Sequence, residues 1–341
     1  MSKVLVTGAS GFIGGYVVER LLAGGHEVVG LDNLSKYGPV AKSYDSAAGY
    51  RLVEGDARDV DLLAKLLADC DHLIAGAAMI GGIPYFHAYA YDLLATNERI
   101  IASTCDAAID AHRRHRLQKV TYLSSSMVYE STSIWPSAEG QEHQIPPPAS
   151  SYGFQKLAVE YFARAAWDQH HLPYTIVRPF NCVGIGEARA LGDLEAVSGN
   201  VRLAMSHVVP DLVQKVLRGQ DPVHILGDGG QIRHYTYGGD LARGIVLAME
   251  HPAALNQDFN LSTATSTTVL ELAESIWCKI RGADAPLRYV SDPSFEHDVQ
   301  RRIPSVEKAE RVLGFTATTT LDEMLDEVVP WIEKAISTGA L

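Results

Sequence analysis

The feature that most constrains the fold of this chain is a glycine-rich stretch that follows a short apolar run near its start. Residues 3–7 read Lys-Val-Leu-Val-Thr and predict a buried strand, and Gly8, Gly11 and Gly14 follow at a spacing of three. A helical pattern then begins at residue 16. A strand, a glycine turn and a helix in this order aim free backbone N–H groups at a pyrophosphate.

Each glycine has a separate predicted use in such a turn. Gly8 permits the tight turn, Gly11 the close approach of a phosphate, and Gly14 the contact between helix and strand. The spacing is GxxGxxG rather than GxGxxG, so this stretch matches the usual dinucleotide fingerprint in its expected geometry but not in its glycine spacing. The alternative is an ordinary glycine-rich turn. The predicted contacts from the rest of this stretch come from Ser10, Phe12 and Ile13.

The ends of the next strands carry further candidate cofactor residues. Asp32 closes a second strand over residues 26–31, about twenty residues past the glycine turn. A carboxylate there binds both adenosine ribose hydroxyls and repels a 2′-phosphate, which predicts NAD rather than NADP. The alternative is that Asp32 and Asn33 only begin a turn. Asp56, with Ala57, ends a third strand where it can reach an adenine amino group, and the small Ala77 and Ala78 end a fourth.

Composition and charge exclude several classes of protein. The chain has 341 residues with a net charge of −12, and 47% of them are hydrophobic. Without a run of lysine or arginine, neither nucleic acid nor an anionic membrane is expected as the main partner. No apolar run reaches the length of a spanning helix, and the first strand begins too early for a signal peptide. Four scattered cysteines without metal-ligand spacing predict free thiols in the cytoplasm and no metal site.

The order of predicted elements indicates the fold class. Strands and helices alternate from residue 3 to residue 178, with helical patterns at 59–68, 86–111 and 151–170 and strands at 119–123 and 174–178. Alternation of this kind predicts a doubly wound (Rossmann) α/β fold with a parallel sheet covered on both faces. Beyond residue 178 we expect a smaller, mixed α/β lobe with helices at 207–218, 239–250, 268–281 and 306–336. The predicted domains are residues 1–178 and 179–341, with some exchange of chain between them.

A tyrosine and a lysine lie four residues apart in the helix predicted over 151–170. Tyr152 and Lys156 therefore share one helix face, where the ammonium favours phenolate and lowers the tyrosine pKa. A tyrosine that titrates near neutral pH is a general acid and base, although the same spacing also occurs between surface residues. Ser124, Ser125 and Ser126 end the preceding strand, where hydroxyls face the ligand crevice of a parallel sheet.

Taken together, these motifs resemble one family along nearly the whole chain. The glycine turn, Asp32, the Gly55-Asp56 pair, the serine run, Tyr152-x-x-x-Lys156 and Arg178-Pro179-Phe180-Asn181 occur in the order found in the extended short-chain dehydrogenases/reductases. That family contains the NAD-dependent nucleotide-sugar epimerases and dehydratases. The resemblance implies that Asn181 and Arg233 contact a substrate diphosphate, that Arg301 or Arg302 helps from the other side, and that Asn97 lies at the cofactor site. It also implies a homodimer formed through the helices predicted at 86–111 and 151–170.

The residues after the serine run bear on which reaction the resemblance implies. Family members that remove water across C5–C6, or that decarboxylate a glucuronate, have an acid there, whereas this chain has Ser126 and Met127. We therefore expect a 4-epimerase, with a UDP-sugar as substrate. Tyr152, with Ser125 or Ser126, takes the proton of the 4-hydroxyl while C4 gives hydride to NAD, and the 4-keto sugar turns and takes the hydride back on its other face.

Three alternatives stay open at this point. One is a lyase, either a 4,6-dehydratase or a glucuronate decarboxylase. Another is an enzyme like the GDP-mannose 3,5-epimerases, because Met79, Gly81 and Gly82 lie in a stretch similar to their substrate loop. Those enzymes have a cysteine where this chain has Met127, and His234 also departs from the aspartate that is usual in the wider family. The last is a non-catalytic NAD-binding module, against which the intact Tyr152, Lys156 and serine run argue.

Overall fold

The computed structural model describes residues 1–80, 89–187, 196–198, 201–203, 207–293 and 299–341. The strands within these ranges are β1 (Lys3–Thr7), β2 (Glu27–Asp32), β3 (Tyr50–Glu54), β4 (His72–Ala75), β5 (Lys119–Leu123), β6 (Tyr174–Pro179), β7 (Cys182–Val183), β8 (Ala196–Ser198), β9 (Val201–Leu203), β10 (Val223–Leu226), β11 (Ile232–Arg233), β12 (Thr236–Tyr237), β13 (Gln257–Leu261), β14 (Thr267–Thr268) and β15 (Tyr289–Asp292).

The α-helices in the described part of the chain connect and cover these strands. They are α1 (Phe12–Ala23), α2 (Val60–Leu67), α3 (Ala90–Arg114), α4 (Ser151–His170), α5 (Val208–Leu217), α6 (Gly238–Glu250), α7 (Val269–Arg281), α8 (Glu307–Leu313) and α9 (Leu321–Ser337). Helix α4 has the bounds that the sequence predicted. Its start is fixed by Ser150, whose side chain accepts a hydrogen bond from the backbone N–H of Gly153.

The central sheet has seven parallel strands in the order β3-β2-β1-β4-β5-β6-β13. The strand order reverses between β1 and β4, because the chain runs outward from β1 to β3 and then returns to place β4 on the other side of β1. Ligands of such sheets bind beside the carboxyl ends of the strands at this switch point. The doubly wound α/β fold predicted from the sequence is confirmed. The seventh strand comes from far beyond residue 178 and pairs with β6 through partners such as Phe259 and Val177.

Apolar residues cover both faces of the sheet, which explains why its central strands read as continuous hydrophobic runs. On one face α1 and α6 supply Val17, Leu21 and Ile245 to a cluster that also contains β13. On the other face α2, α3 and α4 supply Leu63, Ile101 and Val159.

A third cluster forms the carboxyl-terminal lobe, which we define as the residues packed around Val213 of α5, Leu272 of α7 and Val328 of α9. Short two-stranded pairs border it, among them β10 with β15 and β11 with β14. This is the smaller mixed α/β part that the sequence predicted.

One predicted helix is wrong in its continuity. The pattern over residues 306–336 is two helices, because Gly314 ends α8 with a left-handed φ of 63°. Thr320 then begins α9 with a capping box, in which its side chain accepts the N–H of Glu323 and the Glu323 carboxylate accepts the N–H of Thr320. The helix predicted from residue 86 begins at Ala90, and residues 81–88 lie outside the described part.

Across the described residues, none of the helices has the length and apolar content needed to cross a membrane.

Candidate active site

The glycine turn forms a narrow cradle at the start of α1. Gly8 has a φ of 76°, and a Cβ added to Gly14 would lie 2.0 Å from the Gly8 carbonyl oxygen. Gly11 is the N-cap of α1, and no side chain caps that helix end. Its N–H groups therefore face the crevice and suit the oxygens of a pyrophosphate.

Asp32 and Asp56 stand beside this cradle in different settings. The two carboxylate oxygens of Asp32 accept the N–H groups of Ser10, at 2.9 Å, and Leu34, at 2.8 Å, so the acid is fixed against the glycine turn. Asp56 is paired with Arg58 through hydrogen bonds of 3.0 and 2.6 Å, which hold the pKa of its carboxyl below the ordinary value. Asn33 also hydrogen-bonds Asp56.

The small residues after β4 lie against the glycine turn. A Cβ on Gly8 would be 3.0 Å from the backbone nitrogen of Ala77, and that N–H donates to the Thr7 hydroxyl at 3.2 Å. Ala78 and Met79 continue this segment across the sheet edge. Gly81 and Gly82, predicted to contact substrate, lie outside the described residues.

Two residues predicted to bind the cofactor directly have side chains directed elsewhere. The Asn97 amide is buried and bonds the backbone of Met79 in both directions, at 2.7 and 2.9 Å, so it positions the segment after β4. Ala57 packs in the apolar cluster beneath α2. A cofactor contact from Ala57 would have to come from its backbone.

The three hydroxyls of the serine run have three different environments. Ser124 donates to the buried Glu160 carboxylate at 2.6 Å and so serves the interior rather than the crevice. Ser125 caps the short 3₁₀ turn Ser126–Tyr129 by accepting the N–H of Met127, and its side chain also hydrogen-bonds Tyr152. Ser126 lines the neighbouring cleft. Ser125 is thus the serine paired with the tyrosine.

Burial dominates the ionisation of Tyr152 and Lys156. Burial raises the pKa of Tyr152, while the Ser125 hydrogen bond and the charge of Arg302 oppose that rise. The sequence predicted a lowered pKa, and the difference arises because burial of the phenol outweighs these two groups. The Lys156 ammonium lies 6.0 Å from the ring centre and donates to the Leu123 carbonyl at 2.9 Å. Burial lowers the pKa of Lys156 to about 8.

The structure separates the two arginines that the resemblance left as alternatives. Arg301 lines the cleft with its guanidinium 5.5 Å from the centre of the Trp135 ring. Arg302 also lines this cleft, and its charge acts on the phenols of Tyr152 and Tyr235. Arg302 is therefore the arginine that faces the tyrosine.

Other donors gather on the same side as Arg302. Arg233 is buried, and its charge also acts on Tyr235. The Asn181 amide nitrogen is buried with no hydrogen-bond partner among the described residues. Guanidinium groups and an amide N–H suit the oxygens of a phosphate.

Tyr235 is a candidate that the sequence reasoning missed. Its hydroxyl is buried without a partner in the described part of the chain, and burial raises its pKa against the opposing charges of Arg233 and Arg302. Guanidinium groups cannot accept a hydrogen bond, so this O–H is left to donate to an anion. The available signal was its position two residues after Arg233, since alternate residues of extended chain share a face. Between them, His234 bonds the Thr263 carbonyl at 2.9 Å, and burial lowers its pKa.

A buried ionic network, also missed, supports the site from below. Arg178 is fully buried and makes hydrogen bonds of 2.7 and 2.6 Å to Glu160 of α4. It also pairs with Glu142 at 2.9 Å and with Asp258 at 2.8 Å. Because Glu160 also accepts the Ser124 hydroxyl, the network joins the tyrosine helix to the end of β5.

Among the residues that the structure describes, no group of histidine, cysteine, aspartate and glutamate has the arrangement of a metal site.

Comparison with known proteins shows which proteins this chain is similar to. Residues 4–262 match the model of the NAD dependent epimerase/dehydratase family. The chain is 28% identical to a UDP-glucose 4-epimerase from Yersinia pestis over 97% of both chains. The crystal structure of a UDP-glucose 4-epimerase with UDP-glucose from Thermotoga maritima is 27% identical, with a TM-score of 0.80 over 98% of this chain and 99% of that one. A double mutant of dTDP-glucose 4,6-dehydratase from Streptomyces venezuelae, solved with NAD bound, is 25% identical, with a TM-score of 0.81 over 98% of both chains.

Proposed function

The chain belongs to the NAD-dependent epimerase/dehydratase family, and from that premise we propose that it is a UDP-sugar 4-epimerase. The observation that carries the choice is the Tyr152–Ser125 hydrogen bond at the mouth of a crevice that has Ser126 and Met127, not an acid, after the serine run. The Tyr152 phenol and the Ser125 hydroxyl can together remove and return the proton of one sugar hydroxyl. Removal of a C5 proton requires a further base.

The residues present fit NAD. The uncapped start of α1 and the Gly8–Gly14 contact make a cradle that any side chain would fill, which suits a pyrophosphate, and Asp32 suits the two ribose hydroxyls. When bound, NAD supplies the redox step by accepting hydride from sugar C4 and returning it. Lys156, one turn beyond Tyr152 on α4, would hold the nicotinamide ribose.

The chain itself supplies proton transfer and orientation. Tyr152 takes the proton from the 4-hydroxyl and later returns it, and Ser125 holds the same oxygen through its hydroxyl. Because burial raises the pKa of Tyr152, the Ser125 hydrogen bond and the charge of Arg302 are needed to stabilise the phenolate. The proton and the hydride both return to the sugar, so substrate and product have the same composition.

The donors on the opposite side anchor the diphosphate. These donors are N–H and O–H groups without negative charge, which suits the oxygens of two linked phosphates. They belong to Asn181, Arg233, Tyr235 and Arg302. An anchored diphosphate lets the sugar turn over within the crevice without leaving it. Turning is what exposes the other face of C4.

A lyase is the second candidate because the chain also resembles a 4,6-dehydratase in structure. A carboxylate does line the cleft at Glu130, but its Oε2 accepts the N–H of Ser150 at 3.0 Å and the Ser150 hydroxyl at 2.8 Å. Glu130 thus caps the start of α4 and is not directed at a sugar carbon.

The test is turnover of a panel of UDP-, GDP-, CDP- and dTDP-sugars, followed by mass spectrometry and NMR. We expect a UDP-sugar to give a product of unchanged mass with inverted C4. Loss of the mass of water or of carbon dioxide would identify a lyase instead, and inversion at C3 and C5 of a GDP-sugar would identify the 3,5-epimerase. Inactivity of the whole panel would favour a binding module.

We further propose that the protein is a cytoplasmic homodimer. Cys70, Cys105, Cys182 and Cys278 are free thiols, which suits a reducing compartment. Helices α3 and α4 leave Tyr91 77% and Tyr161 59% exposed, and large aromatic side chains are common at subunit contacts. Light scattering should give twice the chain mass, and a mass of one chain would contradict the assembly.

A further inference from the structure

Tyr16 reaches from the helix of the glycine turn to Ile185, which follows β7. It lies one turn after Phe12 on α1, and its ring packs edge-on against Phe12 at 5.9 Å and Tyr237 at 5.6 Å between centres. Its hydroxyl accepts the backbone N–H of Ile185 at 2.9 Å. One side chain therefore connects the cofactor cradle to the segment that follows β7.

Two glycines make room for this tyrosine. A Cβ on Gly184 would lie 2.2 Å from the Tyr16 hydroxyl oxygen, and a Cβ on Gly238 would lie 2.5 Å from its ring. Real Cβ atoms do not approach other atoms so closely, so the ring fits only where both neighbouring backbones lack side chains. The phenol is thus enclosed by backbone from two separate elements, β7 with its following residues and the start of α6.

The contact continues into the carboxyl-terminal lobe. The Tyr237 hydroxyl, beside Tyr16, donates to the Glu327 carboxylate of α9 at 2.9 Å. Beyond Ile185, Glu187 pairs with His207 at 2.6 Å, and His207 directly precedes α5. Asn181 lies four residues before Ile185, and its amide nitrogen is buried with no hydrogen-bond partner among the described residues.

We infer that Tyr16 is a positioning residue that ties the cofactor helix to residues 181–187, so that the nucleotide-binding side is held in register with the cofactor side. The inference rests on the proposed function for the identity of the substrate. The hydroxyl does the tying, because a phenylalanine would keep the ring contacts and lose the hydrogen bonds that the hydroxyl makes to Ile185 and to Tyr237. Loss of one hydrogen bond of this kind corresponds to about a fivefold change in an equilibrium constant.

The first test is the kinetics of Tyr16→Phe. We expect KM for the nucleotide sugar to rise about fivefold while kcat stays within about twofold and the NAD content per chain is unchanged. Tyr289→Phe is the control, since it removes an exposed hydroxyl on β15, away from the cradle, and it should leave both constants unchanged. A fall in kcat at constant KM, or an unchanged KM, would overturn the inference.

The second test approaches the same contact from the other side. Gly184→Ala places a methyl group where the Tyr16 hydroxyl lies, and should raise KM at least as much as Tyr16→Phe. In the Tyr16→Phe background the methyl meets the ring carbon at 2.9 Å instead of the oxygen at 2.2 Å, so its effect should shrink. Strictly additive effects of the two changes would show that they act independently and count against the tie.

Hydrogen exchange separates this inference from the proposed function. In Tyr16→Phe the Ile185 amide should exchange about fivefold faster than in the unmodified protein, and addition of NAD should slow it in the unmodified protein only. Equal exchange in both proteins would refute the tie even if epimerisation is confirmed. Failure of the unmodified protein to turn over any nucleotide sugar would refute the proposed function and leave this measurement valid.

Discussion

Tyr152 is surrounded by groups that act on its proton in opposite directions. Burial favours the neutral phenol, whereas the Ser125 hydroxyl and the Arg302 charge favour phenolate. Lys156 is held by the Leu123 carbonyl one turn away. The phenol of Tyr152 therefore stays largely protonated unless further positive charge in the crevice lowers its pKa.

Removal of the phenol oxygen tests this role. Tyr152→Phe keeps the ring in place but removes the proton acceptor, so we expect kcat to fall by about 10³-fold or more with NAD still bound. Turnover by product NMR and NAD content by absorbance are the measurements. Phe154, exposed on the same helix, provides the control Phe154→Tyr, which should keep activity. Near-normal turnover in Tyr152→Phe would exclude the mechanism.

The lysine sets a second expectation, on pH. Because burial lowers the pKa of Lys156 to about 8, this ammonium is charged below that pH and neutral above it. The positive charge that Lys156 brings to the crevice is therefore lost as pH rises, and kcat/KM should decline on the alkaline side from near pH 8. Lys156→Arg keeps the charge to much higher pH, so the decline should move upward although the overall rate drops. An alkaline limb that is the same in both proteins would assign it to another group.

Individual residues were predictable to different degrees. Tyr152, Lys156 and the glycines could be found because their function depends on local spacing within one turn or one helix. The choice of Arg302 over Arg301, and of Ser125 over Ser126, depends on which neighbour each side chain meets across the crevice. Trp135 decides the first choice, and its distance of more than 160 residues from Arg301 leaves no pattern to read.

Among the elements, α4 carries the largest share of the site. Tyr152, Lys156 and Glu160 lie four residues apart, so one face of this helix presents the phenol, the ammonium and the anchor for Arg178 in turn. Tyr152 and Lys156 lie near the crevice at the start of the helix, and Glu160, farther along the same face, is fully buried. The orientation of the helix is thus fixed by the buried ionic network that lies beneath it.

Glu160 should be important for stability. Glu160→Gln keeps the shape of the side chain but leaves the fully buried Arg178 with one carboxylate fewer, so we expect a loss of about 3 kcal/mol in the free energy of unfolding. Urea unfolding followed by circular dichroism measures it. Asp168→Asn, exposed at the end of the same helix, should change stability by less than about 0.5 kcal/mol. Equal effects of the two substitutions would contradict the role given to the network.

Sequence patterns gave the element types well and their continuity less well. The strands of the sheet were predicted because each is a short apolar run bounded by turn residues. The break between α8 and α9 was missed, although Gly314 and the pair Thr320 and Glu323 are local stop and start signals. The Glu160–Arg178 pair could not be predicted, because nothing local requires partners from a helix and a strand to meet.

For the molecule as a whole, a buried lysine at the opposite end of the sheet affects stability. Lys119, at the start of β5, donates to the Ala248 carbonyl of α6 at 2.8 Å, and burial lowers its pKa to about 8. Between pH 8 and its ordinary value near 10.5 the unfolded chain binds more protons than the folded one. Stability attributable to this group therefore rises with pH across that window.

Lys119→Met isolates this contribution. The variant should gain stability relative to the unmodified protein at pH 7, and the gain should shrink by roughly 1–3 kcal/mol at pH 10, where the lysine of the folded protein is already neutral. Chemical unfolding at the two pH values measures the difference. Lys334→Met, exposed on α9, should show no such dependence on pH. A gain that is the same at both pH values would mean that Lys119 titrates normally.

The position of β13 has a consequence for how this protein can be divided. A fragment ending at residue 178 would contain every glycine of the cradle and the whole of α4, yet its sheet would stop at β6 with an unpaired, apolar edge. Such a fragment invites self-association, so a half enzyme that carries only the cofactor cannot be obtained by simple truncation. Replacement of the part after residue 178 by another domain would meet the same obstacle, because that part supplies β13, the strand that covers the edge of β6.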